Sequence, residues 1–70
     1  MERKRVNSSR IRSIGYDPAT RTLEIEFSDG RINAYGGVSP EIHRAFLAAP
    51  SPNSFFEDRI EEDFTARRVR

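Results

Sequence analysis

Seventy residues, 36% apolar and 33% charged, allow one domain at most, and the absence of cysteine excludes a disulfide scaffold and a Cys-based zinc site. Twelve Lys+Arg against eleven Asp+Glu leave a net charge of +1, and the apolar and aromatic content argues against a charged disordered tail. No apolar run approaches the roughly 18 residues of a membrane span, and the basic start Met1-Glu2-Arg3-Lys4-Arg5 has no apolar stretch behind it, so no signal peptide is read and a reducing, cytoplasmic setting is expected.

Residues 1–7 read as a flexible basic arm. Residues 10–16 follow as a strand carrying Ile11, Ile14 and Tyr16, with imperfect alternation that suggests a twist or bulge near Gly15. Asp17-Pro18-Ala19-Thr20 is a turn, since Asp accepts backbone N–H bonds and Pro presets φ. Residues 22–27 alternate cleanly: Leu23, Ile25 and Phe27 point one way, Thr22, Glu24 and Glu26 the other. Asp29-Gly30 reads as a tight hairpin, returning residues 31–35 as a third strand with Ile32 on one face and Tyr35 on the opposite one.

Gly36-Gly37-Val38 breaks the sheet, and Ser39-Pro40-Glu41 starts a helix with a cap, a proline in the first turn and an acid at the positive end. Ile42, Ala45, Phe46 and Ala49 recur at helical spacing until Pro50. Ser51-Pro52-Asn53 reads as a loop. Ser54 and Glu57 then make a capping box for a second helix with Phe56, Ile60 and Phe64 inward. The expected fold is α+β, a three-stranded antiparallel sheet followed by two helices packed on one face, β-β-β-α-α. The domain spans residues 8–66, and a basic tail occupies 67–70. The uncovered sheet face is expected to carry Arg31, Asn33 and Tyr35 beside Thr22, Glu24 and Glu26.

Charge is segregated along the chain. Arg3, Lys4, Arg5, Arg10 and Arg12 lie near the start, and Arg67, Arg68 and Arg70 at the end. Glu57, Asp58, Glu61, Glu62 and Asp63 form an acidic block between them. Basic ends attract phosphate, and they also serve as solvated ends that pair with acids.

The ordered set Val6-x-Ser8-Ser9-x-Ile11, Ile14-Gly15-Tyr16-Asp17, Leu23-x-Ile25-x-Phe27-x-x-Gly30, Tyr35-x-Gly37-Val38, Ala49-x-Ser51, Phe56 and Ile60-x-x-x-Phe64 resembles the KTSC domain family over roughly residues 6–69. That family takes its name from the C-terminus of some lysyl-tRNA synthetases. The resemblance implies a small bacterial domain of unestablished function to which RNA binding has been attached. The chain departs from the family at Asn33, where a Tyr-x-Tyr pair is usual, and at Ser39, where Val precedes the proline. It departs again at Asn53 in place of glycine, and at Glu61 where a basic residue is common.

Two readings of function stand side by side. RNA, with tRNA favoured, would be held by stacking on Tyr35 and by phosphate contacts from Arg31, Arg12 and Arg10. The competing local role for Arg31 is a cross-strand pair with Glu24 or Glu26. A protein-interaction or accessory docking module suits the mosaic charge and the acidic face Glu57/Asp58/Glu61/Glu62. Catalysis is not expected: His43 is the single histidine, and Ser8 and Ser9 lack the glycines of a nucleophile elbow. Neither a metal nor a cofactor is expected, because the i,i+4 acids lack a calcium loop and Gly36-Gly37 lacks the Lys-Ser/Thr of a phosphate loop.

Overall fold

The structure, a computed structural model, describes residues 3–6 and 8–70. Its elements are β1 (Arg3–Arg5), β2 (Ile11–Asp17), β3 (Thr22–Phe27), β4 (Ile32–Tyr35), α1 (Pro40–Ala48) and α2 (Pro52–Phe55). A π-helical turn (Phe56–Ile60) continues α2, and β5 (Ala66–Arg68) closes the order. All strands belong to one antiparallel sheet in the order β1-β2-β3-β4-β5.

The α+β class holds, but the sheet has five strands where three were expected. The two additional strands are its edges, Arg-Lys-Arg and Ala-Arg-Arg, exposed at every position. They have no apolar alternation because they contribute no side chain to the core; main-chain pairing recruits them, with Arg3 also held by Glu24. β1 therefore lies within the segment expected to be a flexible arm, whose residues 1, 2 and 7 lie outside the described residues. The basic tail is likewise paired: Val69 N–H donates to the Ile32 carbonyl at 2.7 Å, and Ile32 N–H to the Arg70 carbonyl at 3.2 Å.

The irregularity in β2 falls at Arg12, not near Gly15. Ile11 opposes Phe27 and Ser13 opposes Glu26, so Arg12 is the additional residue of a bulge. That one insertion lets Ile11 and Ile14, three positions apart, both enter the core. The rest of the core comes from Leu23, Ile25, Phe27, Tyr35, Val38, Phe46, Phe56 and Ile60.

The second hairpin reverses the expected faces of β4. A two-residue turn at Asp29-Gly30 would place Tyr35 opposite Glu24. Instead Gly30 N–H donates to Phe27 carbonyl (3.0 Å) and Phe27 N–H to Arg31 carbonyl (2.8 Å), so Ser28, Asp29 and Gly30 all belong to the loop. Gly30 adopts φ +95°, as the last residue of such a three-residue loop requires. The pairing becomes Leu23–Tyr35, Ile25–Asn33, Glu24–Ala34 and Glu26–Ile32. Tyr35 and Asn33 thus share the helix-covered face, while Ile32 and Ala34 share the outward one. A slip of one residue exchanges the two sides of a strand.

The first helix begins as its sequence dictates, with Ser39 as cap accepting from Ile42 N–H at 3.3 Å. The second starts earlier than expected. Ser51, not Ser54, is its cap, and Ser51-Pro52 repeats the Ser-Pro signal of α1. After one turn it widens, Glu61 N–H reaching the Phe56 carbonyl at 2.8 Å, and Phe56 and Ile60 are buried.

Candidate binding surface

Tyr35, expected on the uncovered sheet face, is interior, with 2% of its surface exposed. Its ring meets Phe56 edge to face at 5.9 Å between centroids, and its hydroxyl accepts from the Asn33 side-chain amide at 3.4 Å. Burial raises the phenol's pKa above its ordinary value; the Asn33 amide, Arg10 and Arg31 oppose the rise, and Glu61 adds to it. The expected stacking platform is therefore a core residue.

The expected arginines are brought together only in part. Arg10 lies over the Phe56 ring (5.6 Å) and pairs with Glu57 (3.0 Å). Arg31 lies over Phe27 (5.3 Å) and pairs with Asp29 (2.8 Å), not with Glu24 or Glu26. The Phe27 and Phe56 rings themselves meet edge to face at 5.5 Å. The two guanidinium groups thus cover the aromatic end of the core, where Tyr35 also sits. The Arg31 backbone N–H is the first cause that holds the Asp29 carboxyl below the usual range. Arg12 stands apart on the outward side, bonding the Ser28 carbonyl at 3.1 Å with Glu26 at 3.9 Å.

The outward face is built by register. Arg3 and Arg5 oppose Gly15 and Ser13; Ser13, Gly15 and Asp17 oppose Glu26, Glu24 and Thr22; Ala34 opposes Glu24 on one side and Arg67 on the other. None of these positions carries an aromatic ring. Ser13 and Gly15 on β2 and Ala34 on β4 flank the two glutamates of the central strand, which are already engaged. Arg3 donates to Glu24, and the Ser13 hydroxyl to Glu26 at 2.8 Å. Thr22, Ala34, Gly36, Thr65 and Arg67 line a recess of about 220 Å³. Sequence reasoning missed it, because Thr65 and Arg67 carry no periodicity and reach the sheet only through β5.

A second hollow, about 170 Å³, lies on the helix side between Lys4, Ile14, Tyr16, His43 and Leu47. His43 stacks on Tyr16 at 4.5 Å, and the Tyr16 hydroxyl donates to the Val38 carbonyl at 2.5 Å. Burial, then the Lys4 charge, lower the His43 pKa below its ordinary value. Ser8 and Ser9 are tied to the second helix: Ser8 donates to the Asn53 side chain, and the Asn53 amide donates to the Ser9 hydroxyl at 2.8 Å. Among the described residues no three His, Asp or Glu side chains are placed to hold a metal ion. No helix among them is long and apolar enough to cross a membrane.

The KTSC domain family model matches residues 7–64 of the chain. An uncharacterized protein of Stutzerimonas stutzeri is 45% identical over 56 residues, which cover 80% of this chain and 79% of that protein. A protein of Tsukamurella paurometabola is 38% identical over 61 residues, 87% of this chain and 91% of the other. The crystal structure of a KTSC domain protein from Yersinia pestis superposes with a TM-score of 0.92 at 43% identity, covering 99% of this chain and 97% of that one.

Proposed function

The chain belongs to the KTSC domain family, and from there we propose that it is a non-enzymatic docking domain whose partner is a protein. The observation that carries this reading is the burial of Tyr35. With that ring interior, the paired positions of the outward face offer no surface on which a base could stack, and two carboxylates stand where phosphates would pass. A mosaic of opposite charges interleaved with small residues suits a protein surface with its own alternating charges. The cysteine-free composition accords with work in a reducing compartment such as the cytoplasm.

RNA binding, with tRNA as the favoured class, keeps one specific support. The cations of both chain ends are fixed on ordered edge strands rather than on loose termini. The two readings separate in one experiment. The full chain is titrated against bulk tRNA and a short single strand at low and moderate salt, and used in parallel as bait before and after nuclease treatment. The docking reading expects no saturable nucleic-acid binding at low salt and one dominant, nuclease-resistant protein. Binding to tRNA that weakens steeply with salt would replace it with a phosphate-tracking function.

A further inference from the structure

β5 is an edge strand that faces no further strand, and it differs from β1 at the opposite edge in three ways. At the two ends of the Gly15–Glu24–Ala34 row, Arg3 of β1 is already engaged by Glu24, whereas Arg67 of β5 has no carboxylate of a described residue within 4 Å. The β5 end carries Val69, 49% exposed, the one large apolar side chain left in solvent among the described residues. The Thr22/Ala34/Gly36/Thr65/Arg67 recess opens beside β5, and Arg67 is its single charged lining residue. Glu24 shares the cross-strand row with Ala34 and Arg67, but it is turned to Arg3.

Lysines and arginines on an edge also deter pairing between copies of the same chain, since two such edges repel. That same charge selects for the opposite partner. An extended segment carrying Asp or Glu at alternate positions would continue the ladder and lay its carboxylates along the β5 side that holds Arg67. A guanidinium with threonine hydroxyls nearby is a carboxylate-binding set.

We propose that β5 is the docking edge of this domain. It takes an acidic extended segment of a protein partner as a sixth strand, with one carboxylate of that segment in the recess at Arg67. The proposal rests on the protein-docking reading above and specifies where and what it binds.

The test titrates the ¹⁵N-labelled full chain with a capped peptide of alternating Glu and Val. Controls are a Lys/Val peptide, a fully N-methylated Glu/Val peptide, and an oligouridine of similar length. The expected result is amide shifts confined to residues 65–70 and to Thr22, Ala34 and Gly36, caused by the unmodified acidic peptide alone. Arg67→Gln and Arg67→Glu should weaken it at least tenfold, whereas Arg12→Gln on the far rim should not; circular dichroism of each variant checks that it is folded. Shifts elsewhere, no shift at millimolar peptide, equal binding of the N-methylated form, or indifference to Arg67 would overturn the β5 assignment. In each of those outcomes a nuclease-resistant partner captured equally by wild type and Arg67→Gln would keep the docking reading intact. Oligouridine shifting the same amides would sink both.

Discussion

Replacing Tyr35 by alanine distinguishes a core residue from a surface platform by magnitude. The ring is 2% exposed and packs edge to face on Phe56. Truncating a buried aromatic to alanine costs about 3–5 kcal/mol, the sum of lost transfer energy and a poorly healed cavity. A domain of this size has a total stability of roughly 3–5 kcal/mol, so Tyr35→Ala should leave the chain largely unfolded at 25 °C. Tyr35→Phe keeps the ring and forfeits one long bond to Asn33, costing roughly 0–1 kcal/mol. Urea unfolding followed by circular dichroism reads both, with an excluded osmolyte added to bring the alanine variant into range. If Tyr35→Ala unfolded within about 0.5 kcal/mol of the wild type, as a surface substitution does, the ring would be solvent-facing and the inference against base stacking would fail. The phenol offers an independent check. Because its folded-state pKa is raised, its contribution to stability is intact below about pH 10 and is lost as pH rises through the folded value.

Asn53→Ala should cost about 1–2 kcal/mol in the same urea assay, since it removes the partner of both Ser8 and Ser9, and its effect should be non-additive with Ser8→Ala. His43 should titrate below a free histidine by NMR, and Lys4→Ala should move its pKa partway back up while burial keeps the remainder of the shift. With the folded pKa depressed, the stability tied to neutral His43 is present above the unfolded value near pH 6.5 and is lost as pH falls through the folded one. Gly30→Ala should destabilise by about 1 kcal/mol through backbone strain alone, because a Cβ there meets nothing within 4 Å; Gly30→Asn should recover part of the loss, measured by thermal melting.

What could be read along the chain was whatever burial had stamped on it. Leu23, Ile25 and Phe27 announce β3, and Ile42 and Phe46 announce α1, because half of each element must leave water. β1 and β5 leave no such mark, since they add nothing to the core and are held chiefly by main-chain pairing, which any side chain permits. The start of the second helix was misplaced for a different reason. Ser51 and Ser54 both suit a cap, and the choice was settled by Pro52, which fits the first helical position after Ser51. The candidate site suffered most. Arg10, Arg31 and Tyr35 do converge, but around Phe27 and Phe56 at the covered end of the sheet. Their side was decided by which residue faces Arg31 across the second hairpin, a register that side-chain polarity in β4 does not encode.

That bend sets which side of β4 meets the helices. With Phe27 facing Arg31, Tyr35 lies opposite Leu23, and Arg67 in turn lies opposite Ala34. A change within residues 28–30 that keeps this pair, a one-residue deletion to a two-residue turn included, should leave β4 as it is. A slip that made Ser28 the partner of Arg31 would drive Ile32 and Ala34 toward the helices and eject the phenol.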